Sequence, residues 1–256
     1  MTMSWLDSYY EAVEFFYWEP QHIGRKKHVP GEFNTFEKVH KHLRQMEVTL
    51  NHNINQFLLL APESLRFRLF HHFFSQNFEA LFEMHGRGVD TTFNLADAMQ
   101  PDFLFVSRSE AVSIEMKVGA KSSLAQVLKY ALLGLAVELR DGSTRRHFLG
   151  FLGARDFSHQ WKEKYRSPSD LKRALSTVDL AVFLHRCPVR FRKHLNRFEE
   201  ILDHLAISFM SYREFAEIVR AESPASTDIS PGAEVYRNLI SGLLLEFERR
   251  NLLERN

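Results

Sequence analysis

Pro101-Asp102-Phe103-Leu104-Phe105-Val106, followed by Val112-Ser113-Ile114-Glu115-Met116-Lys117, reads as two buried hydrophobic strands that carry three ionisable residues. Removing a charge from water costs several kcal/mol unless a partner charge, a cation or a metal offsets it. If the strands form a hairpin through Ser107-Arg108-Ser109-Glu110 with Val106 opposite Ala111, Asp102 falls directly across from Glu115. Paired residues on one face have Cβ atoms roughly 4.5–5.5 Å apart, where like charges repel. Strand periodicity sets Lys117 on the same face as Glu115, one pleat further along. Phe103, Phe105, Val112, Ile114, Met116 and Val118 make up the opposite, apolar face. A register slip of one residue would throw the two acids onto opposite faces, so the pairing is a testable expectation.

Downstream of the hairpin, Leu124, Val127, Leu128, Ala131, Leu132 and Leu135 repeat at the spacing of a helix packed on a sheet. Gln126 and Tyr130 lie one turn apart on a neighbouring face of that helix. Pro101-Asp102, then Glu115-x-Lys117, then Gln126-x-x-x-Tyr130 resembles the PD-(D/E)XK nuclease superfamily, in particular its RecB-type exonuclease branch. Each element is a weak signal alone, and their order and context carry the likeness, which spans residues 64 to 187.

The resemblance implies an α/β, restriction-endonuclease-like core, a mixed central sheet flanked by helices, with helical N- and C-terminal extensions. It implies hydrolysis of phosphodiester bonds in DNA with Mg2+, for which Mn2+ would substitute. Asp102, Glu115 and the backbone carbonyl of Met116 would be the metal ligands, with a further acid from the preceding helix. Glu79 is favoured for that role over Glu83, which lies one turn away. Lys117 would orient the attacking water or balance charge on the phosphate. Gln126 and Tyr130 would position the strand or the water. RNA as substrate, and a catalytically inactive module that binds nucleic acid or protein through the same fold, stand as alternatives.

Outward from the motif, residues 64 to 85 read as one amphipathic helix with Phe70, Phe74, Phe78, Leu81 and Phe82 on its apolar face. Residues 91 to 95 read as a first strand. The apolar runs His147–Leu152 and Leu180–Leu184 read as further strands, with a helical segment near Leu171–Leu175 between them. Residues 1 to 63 form a mostly helical arm, in which His40 and His42 point to different sides of a helix and read as solvated. Residues 188 to 256 read as a helical extension broken by a polar linker at Glu222–Gly232 and closed by a helix over Tyr236–Leu253.

The chain of 256 residues, 45% hydrophobic, can bury one full core, and a formal net charge of +1 excludes a global polycation. Any nucleic-acid surface must then be local. Arg25-Lys26-Lys27-His28 and the run Arg186 to Arg197 read first as solvated faces, the second interleaved by Phe191. If phosphates are held, the candidates are Lys121, Lys129, Arg190, Arg192 and Lys193. Gly119-Ala120-Lys121-Ser122-Ser123 lacks the spacing of a phosphate-binding loop, so no ATPase is expected. The single cysteine, Cys187, excludes an internal disulfide and a Cys-ligated cluster. No targeting segment and no membrane span are read, so a cytoplasmic protein is expected, acting on DNA as a monomer, a homo-oligomer or with a protein partner.

Overall fold

In the computed structural model Val106 stands opposite Ala111 and Phe103 opposite Ile114, the hairpin register expected from the sequence. Residues 5–7, 9–10, 47–78, 82–85, 101–119 and 121–254 are described. The hairpin strands are β2 (Phe103–Val106) and β3 (Glu110–Lys117), and both are buried on both faces. β1 (Glu83–His85) pairs antiparallel to β2. β4 (Arg146–Gly153) and β5 (Ala206–Ser211) continue parallel to β3, giving a five-stranded mixed sheet in the order β1-β2-β3-β4-β5. The molecule is α/β, a mixed sheet flanked by helices.

Two helices supply the covering layers in the unit Arg66–Phe215 that holds the sheet. Glu63–Phe74 is α2, preceded in the chain by α1 (Glu47–Leu60). From α2, Phe70 packs edge-on against Phe78, Phe82 and Phe105, and Phe78 in turn packs on Phe148. The other face, with Leu104, Val106, Leu149 and Phe151, is closed by α3 (Leu124–Asp141) through Val127, Leu128, Ala131 and Leu135. α3 stops at Gly142, whose φ of 67° is the left-handed conformation that glycine adopts without a Cβ penalty. The short helices α4 (Phe157–Gln160), α5 (Pro168–Leu175), α6 (Leu180–His185) and α7 (Val189–Arg192) lead to α8 (Leu195–His204). Phe191, Phe198 and Ile201 extend the core beneath α3.

Three expectations are corrected. The helix read over residues 64 to 85 ends at Phe74, because Ser75 takes φ 52° and its N–H bonds back to the His71 carbonyl at 2.7 Å. Phe78 and Phe82 still join the same aromatic cluster, so the apolar pattern persisted where the helix did not. The run Leu180–Leu184 is helical, not a strand: the Asp179 side chain caps it by accepting from the Val182 N–H at 3.0 Å. The fifth strand is β5, inside the segment read as all helix, so the sheet-bearing unit extends past residue 187 to Phe215. The strand read at residues 91 to 95, Glu79, the two histidines and the first basic stretch lie outside the described residues.

The second unit joins Met1–Leu65 to Ala216–Arg255. Here α9 (Tyr212–Ala221) leads to α10 (Pro231–Arg249), which starts at a Ser230 cap, earlier than the expected residue 236. α10 buries Leu243 and Phe247, and α1 buries Leu50, Ile54 and Phe57. The fully buried Glu246 carboxylate is met by Tyr10 Oη at 2.5 Å, Arg250 Nε at 2.6 Å and Asn53 Nδ2 at 3.3 Å. Among the described residues no helix is long and apolar enough to cross a membrane.

Candidate active site

The site forms where the hairpin's open end meets the first turns of α3, at the carboxyl ends of β3 and β4, where open α/β sheets commonly bind ligands. Extending the β2–β3 ladder one step beyond Phe103–Ile114 brings Asp102 against Glu115. Asp102, half-buried, accepts a hydrogen bond from the Met116 N–H at 2.8 Å, which closes the end of the ladder with a side chain in place of a backbone carbonyl.

Glu115 is 6% exposed and lies at the centre of the cluster. Its Oε1 takes Lys117 Nζ at 2.6 Å and Gln126 Nε2 at 2.7 Å, and its Oε2 takes the Tyr130 hydroxyl. A buried carboxylate is tolerated because one cation and two neutral donors replace its water. The Gln126 amide has no freedom to turn: its Oε1 accepts from the Ser123 N–H at 3.0 Å, capping α3, so its NH2 must face Glu115. Tyr130 is 4% exposed. Burial, followed by the charges of Glu115 and Asp102, holds its hydroxyl well above the ordinary tyrosine range, while a hydrogen bond from the Asp102 backbone acts the other way. Tyr130 is therefore a fixed proton donor to Glu115.

Asp102, Glu115, Met116, Lys117, Gln126 and Tyr130 are thus brought together. Glu83 is not: it is exposed on β1 opposite Val106, four residues from Asp102, or about 13 Å along the strand. Among the described residues no group of three or more His, Cys, Asp and Glu side chains gathers where a metal could sit. Of the candidate phosphate contacts, Lys121 lines the site's edge, its Nζ donating to the His159 carbonyl at 2.7 Å. Lys129 is exposed on α3; burial raises the pKa of the Cys187 thiol, and the charges of Arg192 and Lys129 act the other way. Arg192 also donates to the Cys187 carbonyl at 3.1 Å, and Lys193 is exposed. Arg190 lies over the Phe191 ring at 4.4 Å, but Phe191 itself is fully buried, so it offers no face for stacking a base.

Residues 153 to 160 escaped the sequence reading. Parallel pairing sets Gly153 beside Lys117, and the turn after β4 then lines a pocket of about 50 Å3 with Lys117, Lys121, Arg155, His159 and Gln160. Nothing in the local sequence marks that stretch, because only the β3–β4 register brings it to the motif lysine. A larger cavity of about 390 Å3 between α5, α6 and α8, lined by Leu175, Asp179, Leu180, Glu199 and Leu202, shares no residue with the site. Comparison with protein-family models, with curated proteins and with solved structures finds no match.

Proposed function

We propose that the chain is a Mg2+-dependent nuclease that hydrolyses phosphodiester bonds of DNA at Asp102, Glu115 and Lys117. The observation that carries this reading is the convergence of Lys117, Gln126 and Tyr130 on the Glu115 carboxylate, with Asp102 bound to the next backbone N–H. The donor set fits magnesium, which takes hard oxygen ligands from one or two carboxylates and keeps water and substrate phosphate in its remaining positions. Asp102, Glu115 and the Met116 carbonyl would hold it. When bound it supplies Lewis-acid polarisation of the phosphate and a water of lowered pKa.

The chain's own residues have separable tasks. Lys117, held 2.6 Å from Glu115, would steady the attacking water or an equatorial phosphate oxygen as charge grows there. Gln126 and Tyr130 restrain both Glu115 oxygens, so that carboxylate keeps one orientation as substrate arrives. Burial holds the Tyr130 hydroxyl well above the ordinary tyrosine range, which suits it to donate to Glu115. Hydrolysis forms one P–O bond from water and breaks another, with the proton passing to solvent and the leaving oxygen.

Linear, circular and single-stranded DNA, and RNA, incubated with the protein and Mg2+ or Mn2+ should give cleavage that EDTA stops. Glu115→Gln should abolish it and Lys117→Ala should lower it steeply, and a wild-type preparation that leaves every substrate intact contradicts the reading. A second reading, a nucleic-acid-binding module without cleavage, is favoured by one feature: three donors already meet Glu115. DNA retention without cleavage in either metal would select it.

A further inference from the structure

We propose that the turn after β4 forms a second phosphate site beside Lys117, which grips a backbone phosphate next to the one that is cut. The proposal rests on the nuclease reading and names how that site holds its substrate. β3 and β4 run parallel with Lys117 opposite Gly153, so the segments leaving them travel side by side. One carries Lys121 and the other Arg155 and His159, around the pocket of about 50 Å3 that Lys117 also lines. At roughly 10–15 Å3 per water that space holds a few waters or one tetrahedral anion, and no base or sugar. Its lining brings three fixed cations against one acid, Asp156, in a chain whose net charge is only +1. Asp156 is occupied at the start of α4, accepting from the His159 N–H at 2.8 Å and Ser158 Oγ at 2.9 Å. Arg155 is exposed and makes no hydrogen bond among the described residues, and Lys121 has N–H groups left after bonding the His159 carbonyl.

Gln160 supplies an independent observation. It is 5% exposed, its Nε2 lies 2.9 Å from Ser122 Oγ, and its Oε1 is buried without a hydrogen-bond partner. A buried amide oxygen without a partner is costly, because its lost water is not replaced. Because the Ser122 hydroxyl can donate or accept, turning the amide over gives Oε1 a donor. Gln160 lines the pocket together with Lys117, Lys121 and Arg155. Gly153 lets Gln160 and Phe209 pack against the end of β4: a Cβ there would come 2.7 Å from Gln160 Oε1 and 2.9 Å from the Phe209 ring.

Binding of a short fluorescent DNA by the full chain, with Ca2+ in place of Mg2+ and across a salt series, tests the site. One probe carries a 5′-phosphate and its twin does not, which separates a chain-end phosphate from an internal one. Arg155→Ala should weaken binding about 10-fold and lower the slope of log affinity against log salt by about 1. Gln160→Glu, nearly isosteric, should weaken it at least as much by setting a carboxylate against the phosphate. An effect confined to the 5′-phosphorylated probe assigns the site to a strand end, and an equal effect on both probes assigns it to internal phosphates. Wild-type affinity and slope in both variants, with Glu115-dependent cleavage intact, overturns the second site and leaves the nuclease reading standing. Absence of both binding and cleavage in the wild type overturns both.

Discussion

Glu115 depends on its neighbours more than any other carboxylate in the candidate site, being 6% exposed and bonded through both oxygens. Removing a single donor should therefore be felt in two ways. Lys117→Ala takes away the one cation, and cleavage should fall by about 10²–10³-fold, the size seen when a single charge-stabilising donor is lost. Tyr130→Phe keeps the ring and strips the hydroxyl from Oε2, which should cost about 1–3 kcal/mol in urea unfolding. The same variant tests the tyrosine's titration. In the fold its pKa stands well above 10, chiefly through burial, so its contribution to stability is complete below pH 10 and is lost as pH rises beyond it. Thermal melts from pH 9 to 11 should fall less steeply in Tyr130→Phe than in the wild type, and parallel curves would refute the assignment. The resemblance had already singled out these residues, but not the capping bond from Ser123 that fixes the Gln126 amide, which needs coordinates to be seen.

At the scale of elements, α3 carries two functions at its two ends. Its first turns present Gln126 and Tyr130 to the site, and its last turns carry Glu138, 6% exposed, into an ion cluster. Arg197 from α8 grips Glu138 through Nε and Nη2 at 2.7 and 2.6 Å, while His147 of β4 and the Arg145 N–H approach at 2.9 and 2.7 Å. Burial alone would raise the Glu138 pKa, but hydrogen bonds from His147, Arg197 and the Arg145 backbone bring it down to about 2. A carboxylate with a depressed folded pKa stabilises above its unfolded value and loses that contribution as pH falls. Stability should decline between about pH 4.5 and 2 by roughly 2–3 kcal/mol from this group, and Glu138→Gln should flatten that limb of a pH series of urea melts. Close packing of α3 on β4 has its own test. A Cβ on Gly134 would come 2.7 Å from His147 Nδ1, so Gly134→Ala should cost about 1–3 kcal/mol despite its better helix propensity. Periodicity revealed α3 and the hairpin, because each is long or is paired over a short turn. It misread Leu180–Leu184, where a six-residue apolar run suits a buried strand and a short helix alike and only the Asp179 cap decides. It also missed β5, whose Ala206–Ser211 lies between two helices and pairs with β4, across a long stretch of chain.

Over the whole molecule, the sheet order converts a local motif into a site. The antiparallel hairpin brings Asp102 to Glu115, and the parallel crossover through α3 then sets β4 beside β3, with Gly153 against Lys117. The first of these steps was legible in the sequence, since a four-residue turn and an alternating pattern determine the register. The second was not, because the register of parallel strands is set by how the crossover helix packs, and no residue in 153 to 160 announces it. The helices outside the sheet unit have a buried polar network of their own around Glu246, and none of the motif residues belongs to it. The central claim, that Asp102 and Glu115 hold a divalent cation, is tested most directly by calorimetric titration of the full chain with Mn2+. Saturable heat that disappears in Asp102→Asn and in Glu115→Gln, both still folded by circular dichroism, is the predicted result, and equal heat in all three proteins, or none in the wild type, would contradict it.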